Sequence, residues 1–181
     1  MCIRDSSCFG YTDGVIELEG NGGESPYNYT LTDSTIINDS LNMLSAGSYT
    51  IIIIDNNGCR DTSTFNLNQP DSLLLFFDNF TTPLLCYEGL TTISAILSGG
   101  TGPFNFLWNN NSTSSQTVVG AGLWSCDIVD NNGCSVSENI TITQPDEFFI
   151  SDSSSNNPLC SDGGSASIQT LGGTTPISYL W

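Results

Sequence analysis

Seven cysteines and nineteen Asp and Glu, with no histidine and only two basic residues, set the chemistry open to this 181-residue chain. Ser-His-Asp and Cys-His centres cannot be assembled without an imidazole, and histidine-containing zinc sites fall with them. Carboxylate chemistry is left. Two acids flanking a sugar linkage can hydrolyse it, and so many acids make pairs easy to find, Glu17, Glu19 and Glu24 among them. Hard oxygen ligands also occur in Asp55-Asn56-Asn57-Gly58 and Asp130-Asn131-Asn132-Gly133, where Asp55, Asn57, Asp130 and Asn132 are candidate calcium ligands. Asp13, Asp71 or Asp146 could reach such a site. These segments lack the closing glutamate of an EF-hand loop, and hairpin turns use the same residues for backbone reasons, so the plain turn is preferred. Trp108 and Trp124 are candidate platforms for stacking a sugar.

The elements that must position these groups come in repeats. Ala46-Gly47-Ser48-Tyr49 through Asn57-Gly58-Cys59 aligns without gaps on Ala121-Gly122-Leu123-Trp124 through Asn132-Gly133-Cys134, an offset of 75 residues, and Gln69-Pro70-Asp71 recurs at the same offset as Gln144-Pro145-Asp146. Gly22-Gly23 with Pro26-Tyr27 matches Gly99-Gly100 with Pro103-Phe104, then Gly172-Gly173 with Pro176-Ile177. Each copy opens on a cysteine: Cys8, Cys86 and Cys160. The expected organisation is a leader over 1–7, repeats over 8–78 and 79–153, and a truncated third repeat over 154–181. Glu17, Glu19 and Glu24 have no acid at the matching places of the second copy, which argues against a catalytic dyad. No enzyme is expected.

Inside each repeat the hydrophobic period is two. Tyr49, Ile51 and Ile53 share one face of a strand and Trp124, Cys126 and Ile128 share its counterpart, with Thr50 and Ile52, or Ser125 and Asp127, on the other. Trp124 is thereby assigned inward, leaving Trp108 as the candidate ligand-binding aromatic. Asn57-Gly58 and Asn132-Gly133 predict type I′ hairpin turns. No segment sustains a helical period, and the expected fold is all-β: tandem antiparallel β-sandwiches, immunoglobulin-like, of about 75 residues each.

Cys8 with Cys59, and Cys86 with Cys134, hold matched places, which predicts one disulfide per repeat and an oxidising, extracellular compartment. Thiolate metal ligation is the competing reading, but no pair has CxxC spacing. Cys160 lacks a second cysteine within the chain. Cys126 replaces Ile51 on the inward face and is read as buried filler, since its neighbour Asp127 opposes a reactive thiolate.

The net charge of −17 and a sequence pI near 4.1 exclude a phosphate backbone or an anionic membrane surface as partner. Hydrophobic residues at 38% and aromatics at 10% separate the chain from a disordered acidic tail. The longest apolar run, Leu73 to Phe77, is far below the roughly 18 residues of a membrane span. No direct membrane insertion is expected, and no signal peptide opens the chain. Met1-Cys2-Ile3-Arg4-Asp5-Ser6 reads back as ATG TGT ATA AGA GAC AG, a string that resembles a transposase-end sequencing adapter. These residues are set aside as a translated scar, and the chain as an excerpt of a longer protein.

Cys8, Asp13-Gly14, Gly22-Gly23, Pro26-Tyr27, Ala46-Gly47, Tyr49, Asp55 to Cys59 and Gln69-Pro70, with their counterparts in the second copy, resemble the SprB repeat family. The third copy keeps Cys160, Asp162-Gly163, Gly172-Gly173 and Pro176. Departures are Glu88-Gly89, where the family has Asp-Gly, and Cys126 in the aromatic strand. The resemblance implies a non-enzymatic segment of a very large secreted surface adhesin of gliding and related bacteria, exported by the type IX route and attached to the outer membrane. Its partners would be extracellular surfaces or polysaccharides and neighbouring repeats of the same chain. The alternative is a calcium-stabilised carbohydrate-binding module of a secreted multidomain protein.

Overall fold

The computed structural model describes residues 2–32, 39–78, 80–157 and 163–180, and the backbone of 34–36. Cys160, Asp162 and Trp181, used above to read the third copy, lie outside the described residues. By contacts the chain divides into two compact units, one of Met1–Leu74, Leu97–Asn105 and Ile128–Val136, the other of Leu75–Ile96, Phe106–Asp127 and Ser137–Trp181. Every described element is a strand, and all pairs with a resolved register are antiparallel.

The first copy is built from β2 (Gly14–Glu17), β3 (Asn28–Leu31), β4 (Ser34–Ile36), β5 (Ser40–Leu44), β6 (Gly47–Ile54) and β7 (Arg60–Leu67), and β1 (Cys2–Arg4), from the residues set aside as leader, pairs with β2. They form two sheets, ordered β1-β2-β5 and β4-β3-β6-β7. Alternation decides what lies between them. Ile16, Leu18, Tyr29, Ile51 and Leu67 are buried together, with Tyr49, Ile53 and Phe65 packed against them. Tyr49, Ile51 and Ile53 therefore face the core, as their period-two spacing predicts.

The second copy repeats the plan with β8 (Leu74–Asp78), β9 (Thr91–Ser98), β10 (Asn105–Trp108), β11 (Gln116–Val119), β12 (Gly122–Val129) and β13 (Ser135–Ile142), in sheets ordered β11-β9-β8 and β10-β12-β13. Ile93, Ala95, Cys126 and Ile142 are buried at the places of Ile16, Leu18, Ile51 and Leu67. A further pair, β14 (Phe149–Asn156) with β15 (Ser165–Leu171), begins the third copy. β8, from sequence within 8–78, pairs with β9 of 79–153.

The pairing of cysteines differs from the expectation. Cys8 is bonded to Cys134, with a Cα–Cα distance of 5.7 Å across 126 residues, while Cys59 and Cys86 are exposed free thiols. The reason is strand length. Cys59 precedes β7, whereas the opening loop is held at the far end of that strand: Ser6 N–H donates to Asn68 C=O at 3.1 Å and Gly10 N–H donates to Gln69 Oε1 at 2.8 Å. At about 3.3 Å per residue, β7 puts roughly 23 Å between the two ends. A disulfide closes only Cα atoms within about 7 Å. The second copy holds Cys86 and Cys134 apart in the same way, with Glu88 N–H donating to Gln144 Oε1 at 3.0 Å beyond the end of β13.

Peptide mapping after alkylation checks this pairing. Cys8→Ser should expose Cys134 to alkylation and leave Cys59 and Cys86 as reactive as before, whereas pairing within a copy would release Cys59 instead. Loss of so long a closed loop should lower stability by about 2–5 kcal/mol in a denaturant titration.

Candidate functional site

The Asp-Asn-Asn-Gly-Cys turns are hydrogen-bonded polar constellations, and both are organised by their first aspartate. Asp130 Oδ1 accepts the N–H groups of Asn132 and Cys134, each at 2.9 Å, and its Oδ2 accepts the N–H of Thr101 at 2.9 Å. Asp55 does the same with Asn57 at 2.9 Å, Cys59 at 2.8 Å and Glu24 at 3.1 Å. Backbone N–H groups thus already occupy both oxygens of each carboxylate, which is the turn role for these residues. Asn57 and Asn132 are absent from the residues with positive φ, while Gly58 and Gly133 sit at +85°. The turns are therefore not type I′. The aspartate side chain captures the N–H two residues on, and only the glycine is left to turn left-handed.

Electrostatics follow the geometry. The N–H groups of Glu24 and Cys59 hold Asp55 below its ordinary carboxyl range. For Asp130 burial is the largest influence and pushes upward, but the N–H groups of Thr101, Cys134, Asn132 and Gly133 together outweigh it and the net direction is down. Asp13, another residue read as a possible calcium ligand, is lowered by the Ser7 hydroxyl and the Ser7 N–H, whose bond to Oδ1 is 3.0 Å. Asp13 therefore ties down the loop that carries Cys8. No group of three or more His, Cys, Asp or Glu suited to a metal ion occurs among the described residues.

The remaining candidates are separated by the fold. Trp108 is 1% exposed, its ring packed at a tilt of 36° against Phe77 with centroids 5.6 Å apart and its indole N–H donating to Ser114 C=O at 2.8 Å. Its face is closed, so the sugar-stacking role expected for it is replaced by a core role. Trp124 is half-buried and donates to Gly120 C=O at 2.9 Å. Cys126 is fully buried, and burial pushes its thiol up to about 11, an inert filler as its position implies.

Sequence reasoning missed the contact that gathers these turns into a junction. Gly100 N–H donates to Asp71 C=O at 3.1 Å, and Gly173 N–H donates to Asp146 C=O at 3.1 Å. The Gln-Pro-Asp connector of each copy thus lies on the Gly-Gly pair of the next. A Cβ on Gly99 would meet the carbonyl oxygen of Ser72, and one on Gly172 that of Glu147. Only glycine admits that approach, and its φ near +72° at both places is glycine's own. Beside the first junction Asn132 Nδ2 donates to Ser7 C=O at 3.0 Å, bringing Cys8 onto Cys134. The recurrence of Gly-Gly and Gln-Pro-Asp at fixed offsets was the available signal.

Residues 3–35 and 79–113 match the family model described as SprB repeat. No curated protein sequence matches. Among solved structures, an amphioxus IgVJ-C2 molecule is similar over 77% of this chain and 98% of its own, at 11% identity and a TM-score of 0.38. The C-terminal 282-residue fragment of intimin, solved with the intimin-binding domain of its translocated receptor, is similar over 78% of this chain and 55% of its own, at 13% identity and a TM-score of 0.40. The N-terminal eight Ig domains of Down syndrome cell adhesion molecule isoform 1.30.30 are similar over 71% of this chain and 25% of theirs, at 11% identity and a TM-score of 0.33.

Three measurements test the turns and the tryptophan. Asp130→Ala strands the N–H groups of Thr101, Asn132 and Cys134 and should cost about 2–4 kcal/mol, with Asp130→Asn retaining part of it. The lowered carboxyls of Asp13, Asp55 and Asp130 contribute stability that is fully present above the unfolded value of about 3.9 and lost as pH falls through their folded values. Melting temperature should therefore hold from pH 7 to about 5 and fall below about 4, and chelator at pH 7 should leave it unchanged. Trp108→Ala should cost about 3–5 kcal/mol in a denaturant titration.

Proposed function

We propose that this chain is a non-enzymatic repeat segment of a large secreted cell-surface adhesin, serving as stalk or adhesive module in surface attachment or gliding motility. The observation that carries the reading is that two segments of one chain match the SprB repeat model in register with the internal repeat. Surface association of the bacterial outer-membrane kind belongs to the same proposal. No helix among the described residues is long and apolar enough to cross a membrane, which says nothing of strand-built spans. Extracellular surfaces or polysaccharides are the proposed partners, through contacts other than the closed face of Trp108.

The junction chemistry suits a load-carrying segment. A bond between Cys8 and Cys134 takes the chain between them out of the path of a force applied outside those residues. Each copy leans on its neighbour through the connector, which favours a stiffened array over independent beads. The excess of acids keeps such a surface soluble and discourages aggregation. A calcium-stabilised sugar-binding module is the weaker alternative, because three backbone donors already engage each carboxylate it would need.

Two assays test the proposal together. Stretched by its termini, the oxidised chain should resist extension across the linked segment, and reductant should release about 126 residues, roughly 450 Å of extra length at about 3.6 Å per residue. Beads coated with the chain should be retained on polysaccharide or cell-surface films without liberating reducing sugar ends. Sugar release would overturn the non-enzymatic reading, and full extension without reductant would overturn the load-carrying one.

A further inference from the structure

The first copy carries an open counterpart of the surface that is covered in the second. Gly22-Gly23, Asp55 and Cys59 line a cleft of about 390 Å³ together with Leu18, Tyr27 and Phe65. In the second copy the equivalent Gly99-Gly100, Asp130 and Cys134 are covered by Ser7-Cys8 and by the connector Asp71-Ser72-Leu73. A Cβ on Gly99 would meet the connector backbone, and the same holds at Gly172, yet a Cβ on Gly22 would meet nothing within 4 Å. Gly22 nonetheless keeps a φ of +81°, the conformation its counterparts use beneath a connector. Cys134 is 9% exposed, while Cys59 stands open to solvent.

The complementary half is also present. Cys86 heads the opening loop of the second copy and lines a cleft with Pro145, Asp146, Phe148, Gly173 and Thr174. That cleft is the junction with the third copy, whose Gly173 N–H donates to the connector carbonyl of Asp146 as Gly100 N–H donates to that of Asp71. At the first junction Asn132 Nδ2 donates to both Ser7 C=O and Thr101 Oγ1, and Cys8 meets the turn cysteine of the second copy there. Cys86 is thus held where a turn cysteine of a third copy would arrive.

We propose that this repeat is an array stitched by one disulfide per junction, from the opening cysteine of each copy to the turn cysteine of the next. Cys59 and Cys86 are the unpaired ends of that ladder. Cys59 with its cleft accepts the opening loop and connector of another copy of this repeat, and Cys86 donates to the turn of a copy that follows. The bond forms by exchange. One thiolate attacks a disulfide oxidant such as oxidised glutathione and displaces one glutathione thiolate. The second protein thiolate then displaces the other, so two electrons leave with two glutathiones and two thiol protons pass to solvent. Successive links overlap, because Cys86 lies inside the loop closed by Cys8 and Cys134. The stitching is independent of what the array adheres to, and its test reads disulfide connectivity alone.

Two lengthened chains decide it, each refolded with reduced and oxidised glutathione and mapped by peptide analysis without reduction. In the first, a second Asp71–Pro145 is inserted between Pro145 and Asp146, and the original Cys86 should bond to the Cys134 of the added copy. In the second, Asp71–Leu159 is joined ahead of Cys8 in place of residues 1–7, and the added Cys86 should bond to Cys59. The predicted linked peptide, with loss of alkylation at its two cysteines, supports the ladder. A Cys86 to Cys134 link within one copy, a Cys8 to Cys59 link, or continued alkylation of the original Cys86 in the first chain and of Cys59 in the second, each melting cooperatively, would overturn it. Failure of both chains to fold would also overturn it, since an array held by nearest-neighbour junctions accepts an added copy.

Discussion

The junction rests on a main-chain contact: the carbonyl of a connector aspartate accepting the N–H of a glycine in the following copy, Asp71 to Gly100 and again Asp146 to Gly173. Because the donor and acceptor are backbone, side-chain identity around them can drift while the contact persists. What cannot drift is the pair of glycines, since a connector carbonyl lies where a Cβ would stand. The proline of Gln-Pro-Asp adds stiffness at the same place by fixing one backbone angle. From that contact the rest of the junction follows, with the opening loop arriving beside the Asp-Asn-Asn-Gly-Cys turn.

The turn is built to receive it. A carboxylate that accepts three N–H groups is a rigid corner, and the two copies repeat it bond for bond, Asp55 with Glu24, Asn57 and Cys59, and Asp130 with Thr101, Asn132 and Cys134. The cysteine at the end of each turn is thereby held in a defined direction before any partner arrives. Such preorganisation lowers the entropy lost when a disulfide closes.

Much of the fold was legible in the residues. The period-two spacing of Tyr49, Ile51 and Ile53 placed the core face of β6, and alignment with Trp124, Cys126 and Ile128 placed that of β12. Cys126 could be read as filler because its partner in the alignment is an isoleucine. Trp108 could not be placed this way, since its neighbours on β10 leave both faces plausible and only Phe77 on β8 closes the ring over. The Asn-Gly signal located both turns but misnamed their geometry, because an aspartate two residues before the asparagine-glycine step competes for the backbone donors.

Composition, alternation and recurrence, all local or periodic properties, determined by themselves that the chain is all-β, acidic, repeated and without histidine chemistry. They also singled out the four cysteines at matched places. Which of those cysteines meet was decided by the tertiary structure. Equivalence within a repeat says that two residues play the same part in each copy, and nothing about the distance between different parts. The length of β7 carries Cys59 and the opening loop to opposite ends of one sandwich, and the connector brings Cys8 onto the next copy's turn. Strand rise multiplied by strand length is a spatial fact, and it turned a matched pair within each copy into a link between copies.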